Sequence, residues 1–263
     1  MDVVAIVALG TSVETEAPLL AADLGITLYE AGLMLRVPSP VVVLRTDDRT
    51  RTMALLGALR SRGHHVVACD VAAVASAEQL VSVQRFRLAD EGLSVEAPRG
   101  VEVQVAWSDV VAIVRAVHRS RTERLEKTDE QRLSLGRAAF TGGLALRKTV
   151  TTETKIASEE REQVLYVFPQ AGRPLFFAQS RTRYDGLGAE LRPSQIENFA
   201  TFTRLLRERA PLAAYDERLL APRPHAERVR SHVRGHETAS SAQGVDLLAH
   251  LVAMAVARGG PYR

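Results

Sequence analysis

Three short β-branched apolar runs, separated by helix-opening signals, constrain this chain's first seventy or so residues more tightly than any other feature. Val3–Leu9 (VVAIVAL), closed by Gly10, reads as a buried strand. Thr11 and Glu14 form a T-x-x-E capping box, whose hydroxyl and carboxylate satisfy amides that the first helical turn leaves free. The helix they open runs to Leu24, and Gly25 supplies the left-handed position after it. Thr27 and Glu30 form a second box, opening a helix through Leu28, Ala31 and Leu35 that stops before Pro38. Pro40–Thr46 is the second strand. Asp47 or Asp48 caps a third helix with Met53, Leu56 and Leu59 on one face, Gly63 ends it, and His64–Val71 is the third strand. The order β-α-α-β-α-β predicts a small three-stranded sheet with helices packed on one face.

From Val83 the hydrophobic period changes to two. Val83–Leu88, Leu93–Ala97 and Val101–Ala106 read as strands, with turn signals at Asp90-Glu91-Gly92 and Pro98-Arg99-Gly100. Further strands are expected at Val110–Val117, Leu144–Ile156, Gln163–Phe168 and Leu175–Ser180. The dense charge of Arg119–Arg132 suggests an exposed excursion between them. Pro193-Ser194 introduces an amphipathic helix carrying Ile196, Phe199, Phe202, Leu205 and Leu206. The fold class is therefore α+β: a three-stranded β-α-α-β-α-β domain (1–75), then a mostly antiparallel β-barrel or sandwich capped by a helix (82–210). Pro211, Pro222, Pro224 and Gly235 mark 211–263 as a flexible linker ending in a short helix at Asp246–Ala257.

Composition excludes several classes. Apolar residues are 46% and charged residues 25%, a globular balance, and no apolar run approaches a membrane span. Met1-Asp2 leads directly into a strand, without the basic start of a signal peptide. A single cysteine, Cys69, rules out an intrachain disulfide and a multi-cysteine metal site, and cytoplasmic residence is expected. The net charge is only +3, with 34 basic and 31 acidic residues interleaved, so the concentrated basic face of a nucleic-acid binder is not expected.

Two resemblances follow from these patterns. Leu24-Gly25-Ile26 followed by Glu30-Ala31, with the helix Thr50–Arg62 ending at Gly63, resembles the C-terminal domain of the bacterial ribosomal stalk protein. That fold is shared by the Clp-protease adaptor for N-degron substrates. The stalk domain's basic first helix is not matched, since the helix here carries Glu14, Glu16 and Asp23 and no lysine or arginine. Residues 83–209, through Phe86–Leu93, Trp107-Ser108-Asp109-Val110 and the closing helix, are similar to pleckstrin-homology-like domains. That similarity implies a platform for peptides, proteins or lipid headgroups, without catalysis of its own.

Candidate chemistry is sparse. His232 and His236, four apart and followed by Glu237, would share one helical face and hold a metal with His225. Val233, however, stands where a metalloprotease helix needs glutamate, and Gly235 interrupts the helix, so no metal site is assigned. His65 and Cys69 share a strand face but lie roughly 13 Å apart, too far for a nucleophilic pair. Cys69 reads as a small core residue, and Trp107, Phe176 and Phe177 read as core aromatics. Gly10-Thr11-Ser12 opens a helix without the glycine-rich loop or lysine of a phosphate-binding motif. Arg147, Lys148, Lys155, Arg181 and Arg183 lie on predicted strands or just beyond one and could form an anion-recognising face. No catalytic residue and no cofactor are assigned. The expected function is that of a non-catalytic cytoplasmic bacterial adaptor or regulatory protein with a protein partner. Peripheral membrane or anionic-ligand binding through the β domain is the first alternative, and a metal-dependent enzyme the second.

Overall fold

In the computed structural model, residues 1–74, 79–97, 100–133, 147–221, 229–233 and 236–259 are described; of these, residues 73, 121–157 and 229–239 are described by backbone alone. The chain is α+β, with antiparallel sheets and a C-terminal helix.

The expected N-terminal order is present. β1 (Asp2–Ala8), β2 (Val41–Thr46) and β3 (His65–Asp70) form an antiparallel sheet in the order β2-β1-β3, with α1 (Val13–Leu24), α2 (Leu28–Arg36) and α3 (Arg49–Ser61) in the expected places. The box at Thr27 and Glu30 is formed in full, and Asp48 caps α3 by accepting from the Thr50 and Arg51 amides. The first cap differs from expectation. Ser12, not Thr11, is the N-cap, accepting from the Thr15 amide. Gly10 precedes the helix in a close approach to another loop, because a Cβ there would lie 2.2 Å from the Gly63 carbonyl oxygen.

The sheet is covered on both faces rather than one. Val4, Ile6, Val41, Val43 and Val66 face α1–α3, whereas Val3, Ala5, Val7 and Val67 face the last helix, α5 (Ala242–Ala257). That helix was expected to be a short tail on a linker. It is instead 16 residues long and buried around nearly its whole circumference, as its sequence AQGVDLLAHLVAMAVA allows.

On its other side α5 shares a core with a second sheet. In this part of the molecule β8 (Val110–Leu133) lies beside β9 (Arg147–Pro169), β9 pairs antiparallel with β10 (Leu175–Ala178), and β10 pairs parallel with β4 (Val81–Ser82). β11 (Ala214–Leu219), inside the stretch expected as linker, runs parallel to the start of β8. Strand alternation divides these residues between two cores. Ala112, Val114, Ala116, Val164, Tyr166, Phe168, Phe176 and Ala178 join the α5 core. Ile113, Leu165, Val167, Leu175 and Phe177 point the other way, into a sandwich with β5 (Arg85–Leu88), β6 (Gly92–Ala97) and β7 (Val101–Ala106). α4 (Gln195–Arg209), opened by a Ser194/Glu197 capping box, closes that sandwich with Phe199, Phe202 and Leu206.

The chain forms two compact units, which cut across the expected segments 1–75, 82–210 and 211–263. One comprises Met1–His118, Glu162–Glu227 and Ala242–Arg263; the other comprises Arg119–Arg161 and Arg228–Ser241. Within the smaller unit, β12 (Val229–Val233) pairs with β13 (His236–Ser240), and β13 pairs with residues 120–124 of β8. The charged stretch Arg119–Arg132 is thus a strand, not an excursion. Backbone pairing satisfies its amides and carbonyls, so it needs no apolar face to be extended. No helix among the described residues is long and apolar enough to cross a membrane.

Candidate functional site

Among the described residues, the expected candidates do not converge on reactive geometry. Arg181 lies over the Phe176 ring at 5.8 Å, and Arg183 is 3.6 Å from Asp185; both arginines are exposed. The side chains of Arg147, Lys148 and Lys155 lie outside the described residues, as does His225. His232 and His236 sit on adjacent antiparallel strands, opposite Glu237 and Val233 respectively, so the helical spacing considered for a metal pair does not arise. Among the described residues no group of three or more potential metal ligands comes together. Cys69 packs against the α5 core, and burial pushes its thiol above the ordinary range. Phe176 and Phe177 are core residues, and half-buried Trp107 donates its Nε1–H to the Ala89 carbonyl at 3.0 Å.

Two buried polar clusters, neither evident from sequence spacing, bring distant histidines and carboxylates together. The first lies between α1 and the end of α3. Glu16 is 0% exposed, and Arg62 grips it with Nε 3.1 Å from Oε2 and a terminal nitrogen 2.8 Å from Oε1. Arg62 also reaches Asp23 at 2.7 Å. His64, equally buried, accepts the Gly10 amide on Nδ1 at 3.0 Å, which leaves the ring proton on Nε2, 2.7 Å from Glu16 but poorly aligned with it. This arrangement ties α1, the Gly10 turn and the end of α3 together. Arg62 answers both Glu16 and Asp23.

The second cluster lies where α5 crosses β8 and β9. Tyr166 donates its hydroxyl proton to Asp246 Oδ1 at 2.5 Å, so His118 Nε2, 2.7 Å away, is the donor to the phenol oxygen. Burial, followed by the neighbouring Asp246 carboxylate, holds the Tyr166 phenol far above its ordinary range. One turn along, His250 donates from Nδ1 to the Asp246 carbonyl at 2.8 Å and meets the Phe168 ring edge-on at 5.1 Å. Burial pushes the His250 imidazolium below its usual range. The directions of donation leave none of these groups as a free base beside a nucleophile, and none of them lines the grooves found on the described surface.

Unlike these interior clusters, the outer face of the N-terminal helices carries apolar side chains in solvent. Leu19 on α1 is 44% exposed; Leu28, Tyr29 and Leu33 on α2 are 58%, 73% and 43% exposed. α2 buries only Ala31 and Leu35. The accompanying charges are acidic on α1 (Glu14 and Asp23) and mixed on α2 (Glu30 and Arg36). In the sequence only Tyr29 and Leu33 stand off the Leu28/Ala31/Leu35 stripe of α2; Leu28 lies on that stripe, at the exposed first turn. Searches against family models, curated proteins and solved structures return no match to this chain.

Proposed function

We propose that this chain is a non-catalytic adaptor or regulatory protein that binds a protein partner through the outer face of α1 and α2. The observation that carries the reading is the exposure of Leu19, Leu28, Tyr29 and Leu33 on one pair of packed helices. Burying such side chains against a partner stabilises a complex by about 25 cal/mol for each Å² of apolar surface removed from water. A tyrosine beside leucines is a favourable anchor, being large and amphipathic with little side-chain freedom to lose. Glu14, exposed in the first turn of α1, favours a partner whose contact is apolar with a basic rim. The burial of Glu16, His64, Tyr166, Asp246 and His250 away from the surface supports binding over catalysis.

A photo-reactive phenylalanine analogue at Tyr29, in the full chain and in cells of the source organism, tests this. The expected result is one discrete adduct with a second protein, absent when the probe replaces exposed Ile196 on α4. The same faint ladder of adducts from both positions would overturn the proposal.

A further inference from the structure

We infer that a groove between the end of α3, β3 and the end of α5 is a binding site for a small phosphate monoester carrying an apolar body. The groove measures about 500 Å³. Its apolar lining is Val66, Val67 and Ala255, and its polar lining is Arg60, His65 and Arg258 with buried His64. No aspartate or glutamate among the described residues lines it. Glu16, 2.7 Å from His64, is paired with Arg62 at 2.8 Å.

Cations at helix ends commonly serve the last carbonyls of the helix. Here those carbonyls already have donors from the chain itself. Ala58 accepts from the Arg62 amide and the Ser61 hydroxyl, Leu59 from the His64 amide, and Arg60 from the Gly63 amide. At the end of α5, Ala255 and Val256 accept from the amides of Arg258 and Gly259. Arg258 and His65 make no side-chain hydrogen bond or ion pair among the described residues, and Arg60 uses one nitrogen, on the Val66 carbonyl at 3.3 Å. Two guanidinium groups with donors to spare, beside an imidazole, suit an anion with several oxygens and more than one negative charge. The volume is in the range of ligand pockets, and the valines and alanine give a non-polar substituent a place to lie.

The test is titration of the full chain with phenyl phosphate, inorganic phosphate and benzoate, followed by amide NMR shifts at Val66, Val67 and Ala255. Saturable shifts are expected with phenyl phosphate at a Kd of about 1 mM or tighter, with weaker binding of the other two. Arg258→Gln and Arg60→Gln should each weaken phenyl phosphate by about tenfold or more, with the thermal midpoint of the exposed Arg258→Gln variant unchanged. Absence of saturation, equal binding of benzoate or inorganic phosphate, or undiminished binding by both variants would each overturn the inference.

Discussion

His250 is a histidine that the fold keeps neutral. Its Nδ1–H donates to the Asp246 carbonyl, its Nε2 meets no hydrogen-bonding partner among the described residues, and Phe168 lies against it. Its pKa is lowered from the ordinary 6.5, first by burial, while the nearby Asp246 works in the opposite direction. When pH falls through 6.5, the unfolded chain binds this proton and the folded chain resists it, so folding stability declines. Urea unfolding at pH 7.5 and 5.5 should show that decline, and His250→Leu should reduce the loss; an equal loss in the variant would refute the assignment. This role is not legible in the sequence, because a lone histidine in DLLAHLVAMAVA has no neighbour in the chain with which to read it. The same limit hid the chain of donors from His118 through Tyr166 to Asp246, whose members are 48 and 80 residues apart. By contrast, the reading of Cys69 and Phe177 as core needed only their own apolar character and strand position.

Elements with local punctuation were legible. The Thr27/Glu30 box, Gly25 after α1 and Gly63 after α3 each act within a few residues, and Gly25 and Gly63 adopt the positive φ angles that such positions favour, 70° and 85°. The start of α1 was displaced by one residue for a non-local reason, the packing of the Gly10 turn against Gly63. Gly10→Ala would place its Cβ 2.2 Å from a backbone oxygen that cannot rotate away. The turn and the Gly10 amide bond to His64 must therefore shift, at a cost of about 2–3 kcal/mol. Chemical denaturation should detect this as a lowered midpoint with an unchanged slope; a variant as stable as the parent would mean that the two loops are not in contact. The continuation of β8 beyond His118 was not legible, because its dense charge resembles a loop and only pairing with neighbouring strands, β13 among them, explains its extension. α5 was underestimated for a related reason. Its uniform apolar surface lacks the helical stripe of a half-exposed helix, and only the sheets on either side explain it.

Across the whole molecule, the interior and the surface divide the roles. Interior ionisable groups from distant stretches meet one another and hold elements together, whereas the apolar groups of α1 and α2 stand largely in solvent. One paired measurement separates these roles: thermal midpoint and partner cross-linking, taken together on Tyr166→Phe and on Leu28→Asp/Leu33→Asp. Tyr166→Phe removes the donor to buried Asp246 and should cost about 1–3 kcal/mol of stability. Below its melting temperature it should retain the Tyr29 cross-link. The surface pair should keep the parent midpoint within a few degrees and lose the cross-link. A surface pair that still cross-links, or an interior variant that loses the adduct while fully folded, would contradict the account.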